Sequence, residues 1–99
     1  MLTCLGEGFA GRVAASLLTA IGTPQLITST LDQYEELAVR LAGDAGALAE
    51  VRQTLAANRL TTPLFDTSLY ARHIESAFAE IYTRYQADLA PEHVFVESA

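Results

Sequence analysis

The chain has 99 residues, 51% hydrophobic and 18% charged, with six arginines, no lysine and twelve acids for a net charge of −6. So apolar a composition excludes a disordered segment, and so short a chain makes at most one domain with a modest core. Its arginines (Arg12, Arg40, Arg52, Arg59, Arg72, Arg84) form no cluster, which argues against nucleic acid or an anionic membrane as a partner, because phosphate neutralisation needs grouped cations.

The apolar run Met1–Leu5 reads as a strand, and Gly6-Glu7-Gly8-Phe9-Ala10-Gly11 follows it as a literal G-x-G-x-x-G. Strand, glycine turn and helix start are the opening of an α/β sheet edge. A dinucleotide site further requires a second parallel strand ending in an acid roughly 20 residues on. The available strand, Leu26-Ile27-Thr28, is short, and Asp32 beyond it falls in the first turn of the next helix, where a carboxylate favours the positive end of the dipole. The glycines are therefore read as a strand-to-helix turn.

The first helix is expected from about Gly8 to Ile21, with Phe9, Val13, Leu17 and Ile21, flanked by Ala10, Ala14 and Leu18, as its apolar stripe. Gly22 supplies a left-handed cap and Pro24 blocks continuation. Thr30-Leu31-Asp32-Gln33 is a capping box opening a second helix that turns Leu31, Tyr34, Leu37, Ala38 and Leu41 inward and pairs Glu36 with Arg40 outward. Gly43 closes it and Asp44 caps a third helix, with stripe Leu48, Val51 and Leu55, ending near Asn58. Thr61-Thr62-Pro63-Leu64-Phe65 is a linker, since Pro63 holds its predecessor out of helical geometry. Asp66 or Thr67 caps the longest helix, to about Asp88. Its stripe is Tyr70, Ile74, Ala77, Phe78, Ile81, Tyr82 and Tyr85, with Glu80 and Arg84 at pairing distance on the other face. His93-Val94-Phe95-Val96 is an apolar tail after Pro91.

Catalytic equipment is sparse. His73 and His93 are the two histidines, at no metal-ligand spacing with an acid, and Cys4 is the single cysteine, so no metal site and no internal disulfide are expected. Ser16 and Ser29 lack a nucleophile-elbow context, and Glu35 and Glu36 read as a solvated face. The place with functional geometry is the Gly6-Glu7-Gly8 turn, because open α/β sheets bind ligands beyond their strands' carboxyl ends, beside helix N-termini. There Glu7 either stands in the crevice or caps the helix. Backbone freedom at Gly6 is expected to matter to this turn. No basic, apolar leader and no run near the ~20 apolar residues of a membrane span is visible, so the expected setting is cytoplasmic.

Thr3-Cys4-Leu5-Gly6-Glu7 followed by Phe9-Ala10-Gly11-Arg12-Val13-Ala14-Ala15-Ser16 resembles the Gly-Glu-Thr-x-Ala-x-Arg-Val-Ala-Ala-Ser segment of the O-linked N-acetylglucosamine transferases, including the bacterial SPINDLY-like members. The resemblance continues through Leu26-Ile27, Tyr34-Glu35, Asn58–Thr67, the long helix to Tyr85, and Pro91-Glu92-His93. The family usually carries threonine where this chain has Gly8, and that difference creates the G-x-G-x-x-G.

The resemblance implies GT-B architecture, two Rossmann-like halves with the nucleotide sugar between them. This chain would be the helix-rich C-terminal part of one half: α/β, about four helices with one or two short parallel strands. It also implies that residues 1–99 are a single partial domain of a catalytic region. The implied activity is metal-free transfer of N-acetylglucosamine from UDP-GlcNAc to protein serine or threonine. UDP-GlcNAc is then a donor substrate rather than a cofactor. The family's donor-binding histidine, threonines, lysine and acidic residue precede the matched segment, so no catalytic residue carries over, and the chain alone is expected to be inactive. Gly6 and Glu7 carry over as a turn adjacent to the donor site. The implied partners are the preceding catalytic half, the repeat domain and a protein acceptor. Self-association is expected too, through the unprotected edge of Met1–Leu5. The alternative is a freestanding helical interaction module without catalysis.

Overall fold

A computed structural model describes residues 1–97. The described chain is mostly helical, four α-helices with one two-stranded parallel sheet, and it divides into two compact units, Met1–Phe65 and the stretch from Asp66 onward.

In the first unit, β1 (Thr3–Cys4) leads through the glycine turn into α1 (Phe9–Ala20). A 3₁₀ turn at Pro24–Leu26 delivers the chain to β2 (Ile27–Thr28), and α2 (Leu31–Gly43) and α3 (Ala45–Asn58) follow. A second 3₁₀ turn, Pro63–Phe65, closes the unit. The two strands are parallel, with Thr3 opposite Ile27 and Cys4 opposite Thr28. They are therefore joined by a strand–helix–strand crossover, the connection a parallel pair needs.

The core of this unit is small. Ala15, Leu18, Ile21 and Leu26 are its buried apolar residues, together with Thr3, Thr23 and Thr28. Burying a hydroxyl is tolerable only with a partner. Thr28 Oγ1 donates to Thr3 O at 2.9 Å, a side-chain bond across the strands, and Thr23 Oγ1 donates to Leu18 O at 3.3 Å.

The buried face of α1 and its cap follows the expected stripe only in part, at Ile21 and the flanking Leu18. Ala15, Leu18 and Ile21 point inward, whereas Phe9 is 85% exposed and Val13 and Leu17 lie at the surface. Gly11 sets this rotation: a Cβ there would stand 3.1 Å from Cys4 O and 3.3 Å from Gly6 N. Only the face carrying Gly11 lets the helix approach the strand so closely, and Ala15 and Leu18 share that face at i+4 and i+7. A wide apolar arc could not reveal which edge would be chosen.

The capping signals of α2 and α3 are met. Thr30 Oγ1 accepts from Gln33 N at 3.2 Å, and Asp44 Oδ1 accepts from Ala47 N at 3.0 Å. Gln33 Oε1 reaches one residue further back than a simple capping box requires, accepting from Ser29 N at 3.0 Å. On α2, Leu37, Ala38 and Leu41 are half-buried as expected, but Leu31 and Tyr34 are exposed.

The second unit is α4 (Thr67–Gln86) and the segment after it. Asp66 is the N-cap, its Oδ1 accepting from Leu69 N at 2.8 Å. No residue of α4 is fully buried. The expected stripe is mostly solvent-facing: Tyr70, Phe78, Ile81, Tyr82 and Tyr85 are exposed, and the half-buried positions are Leu69, His73, Ile74, Ala77 and Arg84. The helix ends two residues before Asp88, which takes a left-handed φ of 57°.

Neither expected i,i+4 ion pair forms among the described residues. Arg84 instead meets Glu92 at 2.9 Å. Glu36 and Arg40 are both exposed, where water competes with each charge and little holds two long side chains together.

Candidate functional site

The site geometry begins with the parallel register. Because β1 and β2 run the same way, both carboxyl ends emerge on one edge of the sheet. Leu5 N donates to Thr28 O at 2.7 Å, carrying the ladder one residue further. From that edge the chain leaves by two turns, Gly6–Gly8 into α1 and Ser29–Thr30 into α2.

The two helix starts at this edge differ in chemistry. At α2, the Thr30 and Gln33 side chains satisfy the donors Gln33 N and Ser29 N, and Asp32 lies in the first turn. At α1 the N-cap is Gly8, with φ −72° and ψ 154°, and it offers no side-chain acceptor; the first turn holds no acid. The start of α1 thus keeps backbone N–H groups and the positive end of the helix dipole free for an external acceptor.

Gly6, Glu7 and Gly8 are all exposed at this rim. Glu7 is not the helix cap, since that position belongs to Gly8. The expectation that Gly6 needs glycine's backbone freedom is corrected: among the described glycines only Gly22 has positive φ, and a Cβ at Gly6 or Gly8 would meet nothing within 4 Å. The glycine that steric closeness requires here is Gly11, through its approach to Cys4 O. The motif itself carried that signal, since its third glycine is the one that permits close helix–strand packing.

A second arrangement missed in the sequence holds the far end of α1. Gly22 has φ +78°, and a Cβ on it would come within 2.7 Å of Asn58 Nδ2. That amide donates to Ile21 O at 2.9 Å, a link across 37 residues. Thr62 Oγ1 donates back to Asn58 O at 2.7 Å. The stretch from Asn58 to Thr62 therefore fastens the end of α3 to the end of α1, and with it the helix whose other end forms the rim.

Of the other sequence candidates, Cys4 ends β1 and Ser29 directly follows β2, both at this edge. Cys4 is a half-buried free thiol. Ser16, Ser29, Glu35 and Glu36 are exposed. His73 and His93, distant in sequence, line one groove in the second unit beside Arg72, Ser76 and Glu80. No group of three or more histidine, cysteine or acidic residues suited to a metal ion occurs among the described residues. No described helix is long and apolar enough to cross a membrane.

The chain belongs to glycosyl transferase family 41: the family's sequence profile matches residues 1–74, which include both strands, the turn and the first three helices. It is 35% identical over 94 residues to the UDP-N-acetylglucosamine–peptide N-acetylglucosaminyltransferase of Caenorhabditis elegans, covering 95% of this chain and 8% of that protein. It is 37% identical over 84 residues to the SPINDLY protein of Hordeum vulgare, described as a probable enzyme of the same name, covering 85% of this chain and 9% of the relative. The SEC protein of Arabidopsis thaliana, described likewise, is 36% identical over 94 residues, 94% of this chain and 10% of its own length. The chain thus spans about a tenth or less of the length of these relatives.

Proposed function

We propose that this member of glycosyl transferase family 41 forms the C-terminal part of the catalytic region of a protein O-GlcNAc transferase. In the complete enzyme, a serine or threonine hydroxyl of an acceptor protein displaces UDP from UDP-GlcNAc and takes the N-acetylglucosamine. The observation carrying this reading is the family match over residues 1–74, because it spans the sheet edge and the uncapped start of α1 together. Residues 1–99 then make one partial domain. Its partners are the preceding catalytic half, the repeat domain and the acceptor protein, its setting is cytoplasmic, and Met1–Leu5 is an edge at which copies of the isolated chain self-associate.

In this reading the chain contributes scaffold and rim. A leaving diphosphate is stabilised by donors fixed in advance around its developing charge. The N–H groups at the start of α1 suit that role, as the backbone donors of a helix N-terminus do for phosphates generally. Gly6 and Glu7 form the turn that sets where those donors face. Glu7 itself repels a diphosphate, so its place is at the border of the donor crevice and not against the phosphates.

A radiolabelled UDP-GlcNAc assay with an acceptor protein tests the assignment. The 99-residue chain alone is expected to give no transfer above background, and the same chain joined to the preceding catalytic and repeat regions to give turnover. Transfer by the short chain alone would overturn the division of labour.

A further inference from the structure

The segment after α4 turns back on the helix that precedes it. Asp88, with φ 57°, reverses the chain, a conformation an L-residue adopts only at some cost. Leu89 N then donates to Arg84 O at 3.1 Å. Arg84 grips the returning chain twice, its Nη2 donating to Ala90 O at 2.9 Å and its Nη1 meeting Glu92 at 2.9 Å. Beyond Glu92 the segment alternates: Val94 and Val96 are half-buried, while His93 and Phe95 are exposed. Period-two alternation is the signature of an extended chain laying one face on a surface.

This closed arrangement is incompletely satisfied. His73 Nε2 and Arg84 Nε are buried with no hydrogen-bond partner among the described residues, and a stranded polar atom opposes the state that strands it. The segment and the helix leave between them a groove open to solvent, lined by Leu69, Arg72, His73, Ser76, Val94 and Val96, so water reaches the contact as soon as the segment lifts. The clasping carboxylate of Glu92 is mostly solvent-exposed, at 63%, so its attraction to Arg84 is weakened by water.

We propose that residues 88–97 are a strap that exchanges between a state closed on α4 and an open state, with Arg84 as its clasp. Closure is favoured by the two Arg84 contacts and the two valines. Opening is favoured by hydration of His73 Nε2 and Arg84 Nε. A partner or a modification of the segment that favours the open state shifts the population toward it.

Methyl NMR of the full chain tests this. Val94 and Val96 are expected to show nuclear Overhauser contacts to methyls of Leu69 or Ile81, together with relaxation dispersion from a minor open state. Arg84→Ala removes both clasp contacts and should abolish the Overhauser contacts, moving the valine shifts to those of the minor state. Glu92→Ala, which alters only a surface carboxylate, should raise the open population about threefold. His73→Phe, which removes one stranded atom while keeping the ring, should lower it about fivefold or more. Valine contacts that persist at full strength in Arg84→Ala would overturn the proposal. So would a wild-type chain without exchange that gains none in Glu92→Ala, or an open population that His73→Phe leaves unchanged or raises.

Discussion

At the carboxyl ends of α1 and α4 the chain closes the helix with the same pair of hydrogen bonds. In α1, Thr23 N donates to Leu18 O at 2.8 Å and Gly22 N to Thr19 O at 3.1 Å; in α4, Leu89 N donates to Arg84 O and Asp88 N to Tyr85 O, both at 3.1 Å. Each pair satisfies carbonyls that would otherwise be orphaned, and each requires a left-handed residue at the same position. The surroundings differ. Gly22 lies under the Asn58 amide and is followed by Thr23, which has no exposed surface. Asp88 is exposed, and the chain beyond it is held mainly by one arginine. One motif thus serves as a fixed corner in the first unit and as a hinge in the second. What separates them is whether distant sequence packs over the turn.

Gly22→Ala is expected to have the largest effect. It places a side chain in the left-handed region and drives Cβ into Asn58 Nδ2, so strain and a lost hydrogen bond together should cost about 2–3 kcal/mol in denaturant unfolding. A loss below about 1 kcal/mol would mean that the corner is not fixed by Asn58. Asn58→Ala keeps the glycine and removes only the amide, leaving Ile21 O without its donor. A loss of about 1–2 kcal/mol is expected, and by the same measurement it should be non-additive with Gly22→Ala.

Asp88→Gly should move stability the other way. Relieving a left-handed aspartate at an exposed turn is expected to raise the melting temperature slightly, equivalent to about 0.5–1 kcal/mol, because glycine is the favoured residue at that position. A destabilised Asp88→Gly protein would show that the aspartate side chain, and not the turn, holds the second unit's corner. The smallest effect is at the other end of α1. Gly8→Ser adds a capping hydroxyl where no side chain now caps, and a gain of a few tenths of a kcal/mol is expected from thermal unfolding.

The local signals were readable from the sequence. Thr30 with Gln33, Asp44, Asp66 and the Gly22–Pro24 stop each act within a few residues, so helix number and approximate helix limits follow from them. The rotation of α1 was not readable, because Phe9, Val13 and Leu17 are as apolar as the residues that become buried. The choice is made by a contact between Gly11 and the Cys4 carbonyl. The Asn58 link to Ile21 spans 37 residues and has no periodic signature. Arg84 stands at helical spacing from Glu80, yet its partner is Glu92, brought near only by the reversal at Asp88. At the candidate site, sequence marked the turn but placed the demand for glycine at Gly6, whereas the third glycine of the motif is the one that packing constrains.

The central claim, that the uncapped start of α1 borders the donor's diphosphate, is tested most directly by Gly8→Asp in the complete enzyme. A carboxylate at that position caps the helix, so stability should hold or rise slightly. The same charge opposes a diphosphate at the same N–H groups, and KM for UDP-GlcNAc should rise about tenfold or more, with Asp88→Gly leaving it unchanged. A Gly8→Asp enzyme that is as stable as the parent and binds UDP-GlcNAc as well would contradict the claim.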